Sequence, residues 1–242
     1  MAVKLVACGI LKFSQEVRMR CIGLVGGLAV GSACHCYKAL AQQWPRDRGP
    51  MEFCMVHADL PTVLECLSAN DSDKLANYLL GLIERVKRAG ATVAAIPAVA
   101  PHFSIKRLKE FSPLPIIDLL EVIVDEVRSR KLRRVTIFGT RYVIKSNLFE
   151  ALDGVVEIAS PSTEETDRIH ELYLKLAQQA YGEPSDIAEL NALAAAVLER
   201  ERADAVLLAG TDFSVVPAGL FEFPHVDCTE AHLRAILREL CS

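Results

Sequence analysis

Four segments place residues with usable chemistry directly behind apolar runs. In the first, Gly26, Gly27 and Gly31 precede Ser32 at a helix start. Free N–H groups there suit an anion. The spacing is not that of a dinucleotide fingerprint, and a tight turn explains the glycines equally well. The second runs Pro97, Ala98, Val99, Ala100, Pro101, His102. Its prolines fix an extended loop. His102, with an ordinary pKa near ~6.5, could give or take a proton, although a lone loop histidine is more often structural. Gly139 with Thr140, and Gly210 with Thr211 and Asp212, complete the set. Threonine hydroxyls and backbone N–H groups suit a carboxylate, and Asp212 could act as a base. Both pairs could equally cap the helices that follow.

Other chemistry is poorly supported. The eight cysteines include no CxxC pair, which argues against a zinc ribbon. Cys34, His35 and Cys36 open a helix, but residues two apart do not share a helix face, so a common metal is not expected. Packing is the simpler role for both thiols, which are expected reduced. Neither metal nor cofactor is expected. A net charge of −4 in 242 residues gives no reason to expect a nucleic-acid partner. The basic run from Arg128 to Arg134 reads as a solvated helix end. Residues 1–18 begin apolar but are too short for a membrane span and carry no convincing cleavage site. They read as an extension before Met19. No membrane association is expected, and the default location is cytoplasmic.

The elements that must position these segments alternate strand and helix. Strands are expected at 22–27, 51–56, 91–96, 114–117, 134–138, 155–158, 205–208 and 226–228. Helices are expected at 33–43, 72–89, 117–130, 142–152, 164–181, 185–201 and 230–240. In 72–89, Leu75, Leu79, Leu82, Ile83 and Val86 follow helical spacing. Continuous apolar strands separated by helices predict mostly parallel sheets covered on both faces. The fold class is α/β: two similar three-layer lobes related by a pseudo-twofold axis, with a cleft between them. Residues 19–125 with 218–242 would form one lobe, and 126–217 the other. Ligands of such sheets collect at the carboxyl ends of strands, where the four segments fall.

Taken together, the segments resemble the aspartate/glutamate racemase superfamily over nearly the whole chain from Met19. The first strand with Gly26, Gly27, Ser32 and Tyr37 is similar to that family's opening. Gly139 to Phe149 resembles its middle segment. Ser160, Pro161, Ile169 and His170 resemble the next, and Leu207 to Phe213 stands where the family writes L-G-C-T-E. The resemblance implies a cofactor-independent enzyme and a homodimer. It also implies a small carboxylate or amino-acid-like ligand held between two opposed cysteines, one removing a proton and the other delivering one.

Both cysteine positions differ in this chain. The C-N-T-x-H motif becomes Ala98, Val99, Ala100, Pro101, His102, and the second cysteine position holds Gly210. Neither alanine nor glycine can carry a proton, so two-thiol chemistry at those positions is impossible. The resemblance leaves His102 and Asp212 as proton handlers, with Gly27, Ser32, Val99, Ala100, Thr140 and Thr211 around the ligand. Three outcomes are open: altered isomerase or lyase chemistry, a binding or regulatory protein that kept the cleft, or a racemase recruiting Cys34 or Cys36.

Overall fold

A computed structural model describes residues 20–28, 30–217 and 219–241. The extension expected over residues 1–18 lies outside the described residues. The first half runs β1 (Ile22–Gly26), α1 (Val30–Gln43), β2 (Phe53–His57), α2 (Leu60–Ser68), α3 (Ser72–Arg88), β3 (Val93–Ala95), α4 (Ile105–Phe111), β4 (Ile116–Ile117) and α5 (Leu119–Ser129). The second half runs β5 (Arg134–Phe138), α6 (Arg141–Lys145), β6 (Glu157–Ala159), α7 (Thr163–Gln179), α8 (Pro184–Glu201), β7 (Ala205–Leu208), β8 (His225–Asp227) and α9 (Cys228–Cys241). Two four-stranded sheets result, ordered β2-β1-β3-β4 and β6-β5-β7-β8. The same winding occurs twice, and every pairing among the described strands is parallel.

Alternation along each central strand divides its side chains between two helical layers. In β1, Ile22 and Leu24 join Cys36 and Leu40 of α1 and Leu233 and Ile236 of α9 in one core cluster. Val25 joins Leu79 and Ile83 of α3 in another. In β7, Val206 and Leu208 meet the α7 and α8 side chains Ile169, Leu172 and Val197, whereas Leu207 belongs with Ile123 and Val127 of α5. Each fully buried leucine or isoleucine of α3 contributes roughly 2 kcal/mol relative to exposure. The chain returns at its end: α9 packs on the first sheet although β8 belongs to the second. α5 spans residue 125, the expected lobe boundary.

Two differences from the expected elements shape the cleft. Helices α2 and α4 were not anticipated. Asp59 caps α2 by accepting from the Thr62 N–H at 3.0 Å, and Pro61 stands in its first turn. The helix expected at 142–152 breaks at Ser146, whose backbone is extended. Its hydroxyl donates to the Val143 carbonyl at 3.3 Å and accepts from the Leu148 N–H at 3.4 Å, replacing helical bonds with local ones.

Candidate active-site cleft

The carboxyl ends of the two sheets face a cleft of about 1650 Å³. Ala98, Val99, Ala100 and His102 line it from the first lobe; Thr140, Gly210, Thr211 and Asp212 line it from the second. Eight of the ten anticipated positions therefore converge. Gly27 and Ser32, expected beside the ligand, are not part of the lining. Gly27 instead makes a turn that only glycine fits, with φ +91° and a Cβ position 2.6 Å from the Ala58 carbonyl oxygen. Ser32 is a clasp. Its N–H donates to Asp212 Oδ1 at 3.3 Å, and its hydroxyl donates to the Pro97 carbonyl at 3.1 Å. One free N–H in the first turn of α1, that of Ser32, thus receives the protein's own carboxylate, where the helix dipole favours it.

His102 is fully buried, and both ring nitrogens are taken by backbone. The Leu119 N–H can only donate, so Nε2 accepts it, at 3.2 Å. Nδ1 therefore carries the proton and donates to the Ala98 carbonyl at 2.9 Å. Burial drives its pKa below the ordinary histidine value, partly offset by Asp118. No ring nitrogen is left for a ligand, which corrects the expectation of a free acid or base at this position. The ring instead braces the loop that carries Ala98.

Asp212 is different. It is buried and lines the cleft; Oδ2 accepts from the Tyr173 hydroxyl at 3.0 Å while Oδ1 holds the Ser32 N–H. Burial raises its pKa above the usual carboxylate value, and the Tyr173 and Ser32 bonds oppose the rise. A carboxylate offers about four acceptor sites, so two bonds leave room for a proton. Thr140 caps α6, its Oγ1 accepting from the Val143 N–H at 3.2 Å. That leaves its O–H free to donate.

Two further residues line the cleft: His170, which the family resemblance covers without giving it a role, and Tyr173. His170 is half-buried, and its Nδ1 accepts the Arg141 N–H at 3.3 Å, so the proton of its neutral ring sits on Nε2. Burial and the Arg141 charge lower its pKa. Tyr173 sits on the apolar stripe of α7 with the buried Ile169, Leu172 and Leu176. Of the four Lys and Arg side chains at the rim, three are paired, Lys106 with Glu150 at 2.7 Å, Lys109 with Glu121 at 2.6 Å and Arg141 with Asp167 at 2.6 Å, whereas Lys145 is exposed and makes no ion pair among the described residues. Among the described residues no cysteine lines the cleft. Cys34 is exposed away from it, and burial pushes the Cys36 thiol up to about 12. That overturns recruitment of either thiol. No group of three His, Cys, Asp or Glu side chains among the described residues is arranged to hold a metal ion. No described helix is long and apolar enough to cross a membrane.

Solved structures share this architecture. An aspartate racemase homologue from Pyrococcus horikoshii superposes with TM-score 0.78 at 18% identity, covering 93% of this chain and 100% of that one. A putative Asp/Glu racemase from Yersinia pestis gives 0.77 at 16% identity with the same coverage. Glutamate racemase from Francisella tularensis, solved with D-glutamate, gives 0.64 at 14% identity, covering 92% and 81%. No curated protein sequence matches at a significant level. The family model described as Asp/Glu/hydantoin racemase matches residues 25–236, and with that extent of match the chain belongs to the Asp/Glu/hydantoin racemase family.

Proposed function

We propose that the protein binds a small carboxylate between its lobes and moves a proton at the adjacent carbon, as a cofactor-independent isomerase or lyase that does not use paired thiols. The observation that carries this is Asp212, a buried carboxylate of raised pKa on the cleft wall beside position 210. A base whose pKa is lifted toward the working pH is a better proton acceptor that can also return the proton. Asp212 takes the proton-handling role, and His102 positions the loop. The carboxylate is anchored by the Thr140 hydroxyl, the His170 Nε2–H and N–H groups around Gly210 and Thr211. Val99 and Ala100 face the apolar part of the ligand. The division into residues 19–125 with 218–242 against 126–217, a cytoplasmic location and a homodimer belong to the same reading. Sedimentation as a 26.5 kDa monomer at micromolar concentration would exclude the dimer.

A thermal-shift screen tests it, with acetate, phenylacetate, succinate and both enantiomers of aspartate and glutamate. Glutamate enters because the Francisella neighbour was solved with its D form. A ligand at ~100 times its Kd adds about 2.7 kcal/mol, which in a chain of this size raises Tm by about 5–10 °C. For any ligand found, loss of the α-proton signal in D2O is followed by NMR. Exchange that disappears in Asp212→Asn supports the reading. The second reading is a binding protein without turnover. It is favoured by the two hydrogen bonds already made to Asp212, and it predicts saturable binding with no exchange.

A further inference from the structure

We propose that Tyr173 is the specificity-determining residue of this cleft: its ring fills the volume that a side chain at position 210 would need, closing that wall to a thiol. The part of the ring that borders the cleft offers aromatic carbon to an apolar part of the ligand instead. The ligand half of this rests on the carboxylate reading above.

The steric half follows from Gly210. Its backbone, at φ −108° and ψ 111°, is extended, and any residue can adopt it. Glycine is therefore not required by the chain's path. It is required by the ring: a Cβ at 210 would lie 2.3 Å from Tyr173 Cε2, 2.6 Å from Cδ2 and 3.0 Å from Cζ. The ring has little freedom to withdraw. Its hydroxyl is tied to Asp212, its ring meets Phe213 in an edge arrangement with centroids 5.1 Å apart, and the side chain is buried. The glycine and the tyrosine are one feature, a small residue on a strand end and a large one on the facing helix.

The ligand half follows from what the ring leaves exposed to the cleft. With the hydroxyl committed to Asp212, ring carbon is what Tyr173 offers. Opposite stand Ala98 and Val99, which have no polar side-chain atom. The approach is lined by Leu60, Leu64 and Leu174, which remain 40%, 51% and 40% exposed. A second carboxylate placed among these groups would lose its hydration without a partner. The chemical class that fits is a monocarboxylate with an aromatic or branched apolar body, rather than a dicarboxylate.

The experiment combines variants and probes by Tm. Gly210→Ala should lower Tm by about 4 °C or more in the wild-type background and by less than about 1 °C in a Tyr173→Ala background. Tyr173→Val serves as a second background if the alanine variant does not fold. Equal losses in both backgrounds, or no loss in wild type, overturn the steric half. Millimolar phenylacetate should stabilise wild type and Tyr173→Phe, and much less Tyr173→Ala or Tyr173→Val, while succinate has no effect. Stabilisation by succinate and not by phenylacetate overturns the aromatic-contact assignment and leaves the carboxylate reading standing. Equal stabilisation by benzyl alcohol and phenylacetate overturns the carboxylate reading and leaves the aromatic contact. No shift with any probe overturns both.

Discussion

The Tyr173→Phe substitution removes the hydroxyl that donates to the Asp212 carboxylate and also accepts, at 3.5 Å, from the Asp212 N–H; only the first bond changes with the charge of Asp212, so the pH dependence reads it. It deletes the hydroxyl that donates to Asp212 Oδ2 at 3.0 Å and leaves the ring in place. Asp212 then keeps only the Ser32 N–H, at 3.3 Å. Hydrogen bonds to ionised acceptors contribute about 1.5–3 kcal/mol, and bonds between neutral partners about 1 kcal/mol. Asp212 already has a folded pKa above its unfolded value because of burial, and the hydroxyl opposes that rise. A raised carboxylate pKa gives stability that is present below the unfolded value, near ~3.8, and lost as pH rises through the folded one. Removing the hydroxyl lifts the folded pKa further, so the substitution costs most where the wild-type group is ionised. At pH 8 the loss should be about 2 kcal/mol, or about 4–8 °C in Tm for a chain of this length. At pH 4 it should shrink to about half. Tm measured by circular dichroism at both pH values checks this. A loss equal at the two pH values, or larger in acid, would refute the assignment of Asp212 as the partner that matters.

Gly27→Ala should cost about 2 kcal/mol or more, since a Cβ at φ +91° meets the Ala58 carbonyl oxygen; ligand affinity in the folded fraction should not change, as titration calorimetry would show. Acid should destabilise the protein through buried neutral histidines. His232, hydrogen-bonded to the Ile117 carbonyl at 2.9 Å, has its pKa lowered to about 4 by burial and by His102. Its contribution, about 3 kcal/mol, is present above pH ~6.5 and lost as pH falls to about 4, so His232→Gln should flatten the fall in Tm over that range. His170→Ala should weaken carboxylate binding about tenfold, the loss of roughly 1.4 kcal/mol expected for one hydrogen bond to a charged group, with little change in Tm. Alkylation of the exposed Cys34 should leave binding unchanged by the same calorimetry, because no described cysteine lines the cleft.

What was legible in the chain depended on whether a residue's neighbours were local. β5 and β7 take the bounds expected of them, because each is a continuous apolar run closed by small residues. Helix α3 follows its own periodicity to within a residue. The capping signal of α2, Asp59 with Pro61, was also local, but nine residues hold too few turns for periodicity to stand out. Missing α2 and α4 meant missing Val63, Leu64 and Ile105, and with them much of the apolar wall of the cleft. His102 failed for another reason. Its motif marks a histidine, but its partner at Leu119 is seventeen residues away and reaches the ring only through the fold. Tyr173 was invisible for the same reason, since nothing within α7 says that position 210 faces it.

The two walls of the cleft now differ in kind. On the first, His102 spends one nitrogen on the Ala98 carbonyl and the other on the Leu119 N–H, tying the loop to the start of α5, so its ring has no proton to give. On the second, Tyr173 fills the space of the absent side chain and still keeps a titratable carboxylate beside it. Asp212 also occupies the N-terminus of α1, the anion site that the glycine loop would otherwise offer a ligand. A carboxylate ligand must therefore find its donors elsewhere, and the second lobe offers the Thr140 hydroxyl, the His170 Nε2–H and the exposed Lys145 ammonium. Anchor, proton handler and the Tyr173 ring then lie on one side, and Ala98 and Val99, which have no polar side-chain atom, on the other. A carbon held that way can exchange a proton with Asp212 from one face only. Proton transfer in this cleft should therefore retain configuration, where two opposed thiols would invert it.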